Sequence, residues 1–509
     1  MVSLKDIEQG IDGLLGCRRD VDPAAVGVAL VTSDSREVAP GALFVAVRGY
    51  RTDGHRHIAA AVAAGAVAVV CEEYPQDCRP GVRYIQVADA RSALADAARV
   101  FHGDASGRLM LIGVTGTNGK TTTARLITSM LNSAGIPAGY IGTGLCRIGS
   151  RDIVLERTTP ESHELQALFR RMLDAGCRAA VMEVSSHALV LKRVHGIRFR
   201  AAVFTNLTPE HLDFHENMAA YAEAKRLLFG QLTPDGFGVV NADDPHASFM
   251  VSGLSPDRVF RCSLDTGGVS GAVGQCIDAE IESMTVEGSR ATIEFGGLRL
   301  PVTVPLPGAF NVMNLLEAFA VGVGLGLEPD MALRGLSSGD AVPGRMERIW
   351  SPDRSRCAVV DYAHTPDALQ KVLEALREIV PPGAGLTVVF GCGGNRDRLK
   401  RPEMGRIAAD LADRVILTSD NPRDEEPESI LDEIAAGMAG RAHLRVSDRA
   451  AAIRRAVEGL GDGDILLVAG KGHEQYQEVA GKKHYFSDQE IIAACLETSG
   501  SAGEVKEQA

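Results

Sequence analysis

The segment LMLIGVTGTNGKTTTARLITSML, residues 109–131, decides the fold of the central part of the chain. Its apolar start predicts a buried strand, a glycine-rich turn follows, and the remainder predicts a helix that ends near Gly135. Glycines let backbone N–H groups approach phosphate oxygens, and a helix N-terminus favours negative charge. The segment therefore predicts a phosphate-binding loop in an α/β domain.

This loop departs from the strict GxxxxGK[ST] pattern, because Val114 stands where the pattern needs its first glycine. By itself, GTNGKT could be a glycine-rich helix entry with an exposed lysine. The strand before it and the helix after it favour a nucleoside triphosphate site, with Lys120 at the outer phosphates and Thr121 on Mg²⁺. The predicted ATP-binding residues of the loop are Gly113, Thr115, Gly116, Thr117, Asn118, Gly119, Lys120, Thr121 and Thr122.

Composition limits the partners of the protein. The chain has 53 Lys and Arg against 66 Asp and Glu, a formal net charge of −13, which argues against a general nucleic-acid or acidic-membrane binder. Its ten scattered cysteines form no CxxC pair, and MVSLKDIEQG lacks the pattern of a signal peptide. We therefore expect a cytoplasmic monomer that acts on small molecules, without nucleic-acid or membrane partners.

The length of 509 residues exceeds what one hydrophobic core supports, and changes in pattern predict three α/β domains. The first is small. The central domain combines a parallel sheet of the P-loop ATPase type with a β appendage, which alternates apolar and polar residues between about 277 and 305. The third is Rossmann-like and includes a helix capped by Thr365. The predicted limits are 1–107, 108–341 and 342–509.

The phosphate loop GTNGKT and three later segments, MEVSSHAL, TNLTPEHLDFH and YAEAKRLLF, resemble the Mur ligase and folylpolyglutamate synthase superfamily. Family positions for a strand-end glutamate, a histidine in N-L-x-x-x-H-L-D-x-H and a carbamylated lysine match Glu183, His211 and Lys225. The resemblance implies that these three and Thr121 hold Mg²⁺, since a carbamate supplies the oxygen charge that a cationic lysine lacks. From the residues alone, His211 and His215 could be a zinc pair on one helical face, and Lys225 an ordinary solvated lysine.

Three further segments, PLPGAFNVMNLLEA, GRMER and DYAHTPDAL, extend the resemblance. It implies that Asn314 contacts the adenine, Arg345 the phosphates, and Asp361 and Tyr362 the ribose. Helix capping is an alternative for the asparagines, and a linker salt bridge is one for Arg345. The joint occurrence of these motifs in family order favours ATP, and the implied catalytic residues are Lys120, Glu183, His211, Lys225 and Arg345.

In the N-terminal domain, TSDSR and RGYRTDGH resemble the segments with which Mur ligases that form the muramyl tripeptide hold the UDP-sugar. Without the resemblance, both would be ordinary polar turns. ERTTPES and EVSSHALVLKR match positions around the acyl peptide, although Leu191 stands where some relatives have glutamine. The residues that the resemblance assigns to the UDP-muramyl peptide are Ser33, Ser35, Tyr50, Arg51, Thr52, Thr158, Thr159, Ser185 and Arg193.

The motif DNPR, residues 420–423, resembles the recognition motif of family members that add meso-diaminopimelate, whereas lysine-adding relatives lack the arginine. Diaminopimelate carries a distal carboxylate that a planar guanidinium can bind bidentately. Without that resemblance, Arg423 would pair with Asp424, Glu425 or Glu426 in a solvated acidic turn. The residues that the resemblance assigns to meso-diaminopimelate are Arg396, Asp420, Asn421, Pro422, Arg423, Gly470 and Glu474.

Taken over nearly the whole chain, the resemblance implies an ATP- and Mg²⁺-dependent ligase of peptidoglycan precursor synthesis. Such a ligase would join meso-diaminopimelate to a UDP-muramyl dipeptide through an acyl phosphate. With motifs in three domains, we expect the C-terminal domain to close by rigid-body movement. Two alternatives remain: a folylpolyglutamate synthase-like ligase, which shares only the central chemistry, and a switch ATPase that performs no ligation.

Overall fold

A computed structural model describes residues 1–18, 21–49, 52–265, 274–337 and 342–501, with side chains to residue 497. Tyr50 and Arg51, two of the predicted UDP-sugar residues, lie outside the described residues. The chain is an α/β protein of three units, each built on its own main sheet, as the sequence predicts. None of the helices in the described ranges is long and apolar enough to cross a membrane.

The N-terminal unit is a five-stranded sheet with helices packed on it, plus a two-stranded ribbon of β1 and β3. Its strands are β1 (Val2–Ser3), β2 (Leu14–Arg18), β3 (Gly27–Val28), β4 (Leu30–Thr32), β5 (Ala42–Val45), β6 (Ala66–Cys71) and β7 (Arg83–Val87). Its helices are α1 (Leu4–Gly10), α2 (Ile58–Ala63) and α3 (Ala90–Phe101). The order is β2-β7-β6-β5-β4, parallel except for β2.

The central unit is an eleven-stranded mixed sheet. Its strands are β8 (Met110–Thr115), β9 (Ala138–Gly142), β10 (Leu145–Ile148), β11 (Arg151–Val154), β12 (Ala179–Glu183), β13 (Phe199–Phe204), β14 (Leu232–Asn241), β15 (Val259–Ser263), β16 (Gln275–Thr285), β17 (Gly288–Phe295) and β18 (Leu298–Val304). Its helices are α4 (Lys120–Ser133), α5 (Ser162–Asp174), α6 (Ser186–Val190), α7 (Leu212–His215), α8 (Met218–Arg226), α9 (Ala247–Met250), α10 (Ala309–Gly324) and α11 (Pro329–Ser337). The order is β11-β10-β9-β12-β8-β13-β14-β15-β16-β17-β18.

The predicted β appendage is antiparallel, as expected, and it continues the central sheet. Strand β16 pairs in parallel with β15 through its first residues and antiparallel with β17 along most of its length. Seven neighbouring strands from β9 to β16 are parallel, and hairpins extend the sheet at both edges. The central parallel strands β8, β9, β12 and β13 are buried on both faces, which explains their nearly continuous apolar sequences.

The C-terminal unit is a six-stranded sheet in the order β19-β20-β24-β21-β22-β23, parallel except for β19, with a separate ribbon of β25 and β26. Its strands are β19 (Glu347–Trp350), β20 (Cys357–Asp361), β21 (Leu386–Phe390), β22 (Arg414–Leu417), β23 (Leu444–Arg445), β24 (Ile465–Ala469), β25 (Tyr476–Val479) and β26 (Lys482–Tyr485). Its helices are α12 (Pro366–Ile379), α13 (Lys400–Leu411), α14 (Pro427–Ala436), α15 (Arg449–Glu458) and α16 (Asp488–Ser501).

Helix α12 begins as the sequence predicts. The Thr365 hydroxyl accepts a hydrogen bond from the Ala368 amide (3.3 Å), and Pro366 occupies the first turn, where its missing N–H costs nothing. Leu369, Leu373 and Leu376 on one face are fully buried. The three sheets fall inside the three predicted ranges, while the boundaries at 107/108 and 341/342 stay predictions.

Ligands of parallel α/β sheets bind beyond the carboxyl ends of the strands. In the central unit, the phosphate loop follows β8, and Glu183 ends the neighbouring β12. In the C-terminal unit, Asp361 ends β20, and the segments with Asp420 and Gly470 follow β22 and β24. The predicted site residues of both units therefore gather at strand ends.

Candidate active site

The phosphate loop connects β8 to α4 and turns at two glycines. Gly116 and Gly119 have φ values of 153° and 84°, which residues with a Cβ rarely adopt. The segment after β13 holds this loop: the Asn206 side chain accepts a hydrogen bond from the Asn118 amide (2.9 Å), and its carbonyl accepts one from the Thr117 amide (2.9 Å). Asn206 thus supports the loop, although it was not predicted from the sequence.

Lys120 lies at the start of α4 with its ammonium folded over the loop. Its Nζ donates hydrogen bonds to the carbonyls of Gly116 (2.9 Å) and Thr117 (2.8 Å). Burial lowers the pKa of Lys120, while the charges of Glu210 and Glu183 oppose that shift. The ammonium thus lies where it can replace its hydrogen bonds to these carbonyls with hydrogen bonds to phosphate oxygens.

Glu183 is completely buried at the end of β12 and joins three parts of the site. Its Oε1 accepts hydrogen bonds from Thr121 Oγ1 (2.8 Å), Tyr140 OH (2.6 Å) and the Thr143 amide (3.1 Å), and its Oε2 accepts one from Thr143 Oγ1 (3.2 Å). All these donors are neutral, so no cationic side chain hydrogen-bonds the carboxylate, and its oxygens are of the type that Mg²⁺ prefers. Burial, reinforced by the charge of Glu183, raises the pKa of Tyr140 well above its usual value.

Lys225, on α8, is 1% exposed, so it is not the solvated helix lysine of the alternative interpretation. Its Nζ donates a hydrogen bond to the Gly116 carbonyl (2.7 Å) and lies 4.4 Å from the centre of the Tyr221 ring. Burial lowers the pKa of Lys225 well below its usual value, and the charge of Lys120 lowers it further. The amine is therefore shifted towards its neutral, nucleophilic form.

His211 and His215 have different partners. His211 precedes α7 with a φ of 57°, and its ring centre lies 4.7 Å from that of His187, while burial lowers its pKa. His215 is 5% exposed, and its Nε2 lies 2.9 Å from Ser186 Oγ. Within the described ranges, no three or more His, Cys, Asp or Glu side chains are grouped to hold a metal ion. The zinc-pair interpretation therefore finds no support in this geometry.

Arg345 connects the C-terminal unit to the phosphate loop. Its Nη2 donates a hydrogen bond to Thr121 Oγ1 (3.0 Å), and its guanidinium lies 4.7 Å from the centre of the Tyr362 ring. Its buried Nε has no hydrogen-bond partner among the described residues. The linker-salt-bridge alternative is thus not what this geometry shows, because Arg345 points at the predicted metal ligand Thr121.

Asp361 ends β20, and its carboxylate binds two backbone amides. Its Oδ2 accepts a hydrogen bond from the Met346 amide (2.8 Å) and its Oδ1 one from the Ala363 amide (2.8 Å). Burial raises the pKa of Asp361, although the charge of Arg345 and these amides oppose the shift. Tyr362 donates a hydrogen bond to Glu474 Oε1 (3.4 Å). The predicted ribose contacts of Asp361 and Tyr362 stay predictions.

Two polar contacts bridge the central and C-terminal units beside the loop. Asn118 Nδ2 donates a hydrogen bond to Asp367 Oδ2 (2.7 Å). His364 Nε2 lies 3.6 Å from Glu210 Oε1. Burial favours the neutral acid, but the interactions with His364 and the charges of His211 and Lys120 outweigh it and lower the pKa of Glu210. Glu210 was missed in the sequence, although it directly precedes the predicted His211.

Asn314, the predicted adenine contact, lies on α10 and is brought to the phosphate loop. It is 5% exposed, and its Oδ1 accepts a hydrogen bond from Thr123 Oγ1 (3.2 Å). A Cβ added to Gly119 would lie 2.5 Å from the same Oδ1, so a side chain there would displace the Asn314 amide. The interpretation of this asparagine as a helix cap fails, because Asn314 lies inside α10.

The predicted acyl-peptide residues surround Glu183. Thr159 is fully buried and donates a hydrogen bond to the Glu183 carbonyl (2.9 Å), and Thr158 Oγ1 lies 3.1 Å from Thr143 Oγ1. Arg193 Nη1 donates a hydrogen bond to the Thr159 carbonyl (3.1 Å). Ser185 lies two residues after Glu183 and caps α6 by accepting a hydrogen bond from the Ala188 amide (3.2 Å).

The predicted UDP-sugar residues lie apart from this cluster, in the N-terminal unit. Ser33 and Ser35 are half-buried in the turn after β4. Thr52 Oγ1 lies 3.1 Å from His57 Nε2. Their contacts with a nucleotide sugar stay predictions.

Two loops of the C-terminal unit meet at the predicted diaminopimelate residues. Asn421 Nδ2 donates a hydrogen bond to Glu474 Oε2 (3.1 Å). The fully buried Lys471 donates one to Asn421 Oδ1 (3.0 Å), and its Nζ lies 3.5 Å from Asp420 Oδ1 and 3.6 Å from Glu474 Oε2. Lys471 was not predicted, although a lysine between glycines directly after a strand could have indicated it.

Arg423 does not pair with the acids that follow it in sequence. Its Nε donates a hydrogen bond to Glu478 Oε2 (3.2 Å), and its Nη1 donates one to the Gly394 carbonyl (2.8 Å). Glu425 instead binds the buried Arg401 through both carboxylate oxygens (2.9 Å each). Arg396, the other predicted carboxylate ligand, is exposed. The Arg423 guanidinium is therefore oriented by Gly394 and Glu478. Arg423 and Arg396 both lie near the loop that contains Gly393.

A buried ion pair supports both diaminopimelate loops from below. Arg449 and Asp488 are each fully buried and form two hydrogen bonds of 2.8 Å. Arg449 also donates to the carbonyls of Ala469 (3.0 Å) and Ser419 (3.5 Å). These carbonyls directly precede Gly470 and Asp420, so one guanidinium sets the starting points of both loops.

The chain matches three Mur ligase domain families, one after another along the sequence. The Mur ligase family, catalytic domain, matches residues 27–102; the Mur ligase middle domain matches 114–322; and the Mur ligase, glutamate ligase domain, matches 344–472. These ranges cover more than half of the chain. The chain belongs to the Mur ligase family, as the motifs predict, and is an ATP-dependent ligase that forms amide bonds.

Individual relatives of the chain have names that state a particular ligase activity. A UDP-N-acetylmuramoyl-L-alanyl-D-glutamate--2,6-diaminopimelate ligase of Chlorobaculum tepidum is 68% identical over 484 residues, 95% of each chain. A relative of the same name from Chlorobium phaeobacteroides is 58% identical over 479 residues, 94% of this chain and 93% of its own. A solved structure with that name has a TM-score of 0.69 at 33% identity and covers 98% of this chain and 99% of its own.

Tyr140→Phe tests the arrangement around Glu183. The substitution removes the 2.6 Å hydrogen bond to Glu183 Oε1 and keeps the ring, so the carboxylate is less firmly oriented towards a cation. We expect the Mg²⁺ concentration for half-maximal activity to rise about tenfold. The measurement is the initial rate against Mg²⁺ concentration.

Tyr84→Phe is the matched control, because Tyr84 is also buried and hydrogen-bonded but lies in the N-terminal unit. It should leave the Mg²⁺ dependence unchanged. Equal Mg²⁺ dependence in the wild type and Tyr140→Phe would show that Glu183 does not serve a metal ion.

Proposed function

We propose that the protein joins meso-diaminopimelate to the D-glutamyl residue of UDP-N-acetylmuramoyl-L-alanyl-D-glutamate, with ATP and Mg²⁺, in peptidoglycan precursor synthesis. The observation that carries the amino-acid assignment is the meeting of the loops with Asn421, Arg423 and Glu474 at one set of strand ends. The relatives that are 68% and 58% identical carry this activity in their names. A cytoplasmic monomer is part of the proposal, because ATP is supplied there and all proposed sites lie in one chain.

The charges of the site support the choice of amino acid. The distal end of meso-diaminopimelate carries one ammonium and one carboxylate. Arg423 and Arg396 offer guanidinium groups to the carboxylate, and Glu474 offers a carboxylate to the ammonium. Lysine lacks the distal carboxylate and therefore cannot accept the hydrogen bonds that Arg423 would donate to that group, which disfavours its binding.

The residues around Glu183 fit a magnesium ion. Thr121 Oγ1 and the Glu183 carboxylate are 2.8 Å apart, both are oxygen donors, and the carboxylate has only neutral hydrogen-bond donors around it. When bound, Mg²⁺ supplies positive charge to the phosphates. His211 and Lys225 complete the proposed set, with Lys225 contributing oxygen only after carbamylation.

The proposed reaction has two steps. A carboxylate oxygen of the D-glutamyl residue attacks the γ-phosphorus of ATP, which gives an acyl phosphate and ADP. The diaminopimelate amine then attacks the acyl carbon and loses a proton, and phosphate leaves as the amide forms. Lys120 and Arg345 donate hydrogen bonds to the transferred phosphoryl group, and Asn118 and Asp367 hold the two units together beside it.

Burial of Lys225 supports carbamylation. The neutral amine attacks CO₂, forms an N–C bond and releases one proton, so the product is an anionic carbamate. The lowered pKa of Lys225 raises the fraction of neutral amine at physiological pH. A carbamate at this position would also place a negative charge near the buried ammonium of Lys120, which a cationic Lys225 would repel.

Phosphate release tests the function as a whole. With ATP, Mg²⁺ and the UDP-muramyl dipeptide present, we expect rapid phosphate release only after meso-diaminopimelate is added, because the acyl phosphate needs an amine acceptor. The measurement is phosphate release with and without the amino acid. Release that is independent of it would support the switch ATPase, and acceptance of a folate substrate would support the other alternative.

Lys225→Ala tests the carbamate. We expect loss of nearly all activity and partial recovery with added short carboxylates, which replace the missing oxygen ligand. Wild-type protein in ¹³C-bicarbonate should show a carbamate carbon resonance that Lys225→Ala lacks. The exposed Lys482→Ala is the control and should keep that resonance. A resonance unchanged in Lys225→Ala would refute the modification.

Arg423→Ala tests amino-acid recognition. Loss of a charge-assisted bidentate contact should raise the KM for meso-diaminopimelate about a hundredfold, with the KM for ATP changed less than about twofold. Arg423→Lys should recover only part of the loss, because an ammonium lacks the planar fork. Arg406→Ala removes an exposed arginine of α13 that pairs with Asp410 and should change neither KM. An equal rise in both KM values would contradict the proposed role.

A further inference from the structure

Glu317 is a buried acid for which neither the fold nor the proposed reaction accounts. It lies on α10, one turn after Asn314, and is completely buried. Its Oε2 lies 3.0 Å from Thr123 Oγ1, and its Oε1 has no hydrogen-bond partner among the described residues. None of the ion pairs found within the described part of the chain includes it. A single carboxylate without a cation is costly to bury in its charged form.

Glu317 is the end of a hydrogen-bonded chain that begins at the main chain. Asn311 Nδ2 donates to the Pro307 carbonyl (2.8 Å), and Asn314 Nδ2 donates to Asn311 Oδ1 (3.2 Å). Thr123 Oγ1 then lies 3.2 Å from Asn314 Oδ1 and 3.0 Å from Glu317 Oε2. The chain therefore links α10 to the first turn of α4, which continues the phosphate loop.

The direction of every proton in this chain follows from its first member. A carbonyl only accepts, so Asn311 must present its Nδ2 to Pro307 and its Oδ1 to Asn314. Asn314 must then present its Nδ2 to Asn311 and its Oδ1 to Thr123.

Thr123 has one hydroxyl proton, and its hydroxyl is the donor found for Asn314 Oδ1 within the described residues. The contact of 3.0 Å between Thr123 and Glu317 must therefore use a proton carried by Glu317.

We propose that Glu317 is a positioning residue that, as a neutral carboxylic acid, donates a hydrogen bond to Thr123 and thereby fixes the side-chain amide of Asn314 beside Gly119 of the phosphate loop. The nucleotide-binding consequence rests on the proposed role of Asn314 in adenine binding. Burial also raises the pKa of Glu317 well above its usual value, consistent with the neutral form.

Glu317 acts on Asn314 only through the Thr123 hydroxyl. An ionised Glu317 would accept the Thr123 proton and leave two oxygen acceptors, Thr123 Oγ1 and Asn314 Oδ1, facing each other without a proton. An apolar residue would leave the Thr123 hydroxyl free to donate to the Gly119 carbonyl in its own helix, as buried threonines can. In either case the Asn314 amide would lose its hydrogen bond from Thr123 and keep only the contact with Asn311.

Three variants distinguish the effect of the hydrogen-bond donor of Glu317 from the effect of its side-chain volume. Glu317→Gln keeps a donor, because its amide N–H can replace the acid O–H. Glu317→Leu keeps similar volume without a donor. Thr123→Val removes the hydroxyl that carries the effect. We expect Glu317→Gln to bind ADP as the wild type does, whereas the other two weaken ADP about five- to tenfold.

The Glu317→Leu/Thr123→Val double variant should bind ADP no more weakly than either single variant, because both act through one hydroxyl. The KM for meso-diaminopimelate should not change in any variant. Affinity is measured by calorimetry with ADP, which does not require ligase activity.

Infrared spectroscopy tests the protonation directly. The wild-type spectrum at mildly alkaline pH should contain a carboxylic-acid carbonyl band that Glu317→Gln lacks, even if the proposed ligation fails. The proposal is overturned if that band is absent, if Glu317→Gln weakens ADP as much as Glu317→Leu, or if the effects of Glu317→Leu and Thr123→Val add. If Glu317→Leu fails to fold, two results still test the proposal: the carboxylic-acid band of the wild type, and the ADP affinity of Glu317→Gln compared with that of Thr123→Val.

Discussion

The buried carboxylate of Glu183 is the constraint on which the rest of the site depends. It accepts hydrogen bonds from Thr121 on the phosphate-loop helix, from Tyr140 on β9 and from Thr143 after that strand. Its carbonyl accepts another from Thr159 in the predicted acyl-peptide segment. A carboxylate without solvent must keep such donors or a cation, so its burial forces the nucleotide and acceptor segments together.

The C-terminal unit completes this arrangement through a few polar contacts. Arg345 reaches Thr121, Asp367 reaches Asn118, and His364 approaches Glu210. Buried apolar residues of both units also belong to one hydrophobic cluster, which includes Leu336 of the central unit and Leu369 of the C-terminal unit, so the units share apolar as well as polar contacts. The unit thus brings its amino-acid loops towards the phosphate loop, and its rigid-body movement stays a prediction.

Much of the fold and part of the site could be predicted from local patterns. The strand-turn-helix of the phosphate loop and the capped helix at Thr365 depend on neighbouring residues, and both were predicted correctly. The continuation of the central sheet into β16–β18 was missed, because strand pairing joins residues far apart in the chain. Asn206, Glu210 and Lys471 were missed for a similar reason, since their tasks depend on partners in other segments.

By itself, the sequence determined the three α/β units, the phosphate loop and membership of the Mur ligase family, because each can be recognised from patterns of neighbouring residues. Only the tertiary structure decided which partners the charged groups take. Arg423 hydrogen-bonds Glu478, 55 residues away, and not the acids next to it in sequence. Lys225 is a buried amine that donates a hydrogen bond to the Gly116 carbonyl. Burial and distant partners set the charge, orientation and reactivity of a side chain, and these appear only when the chain is folded.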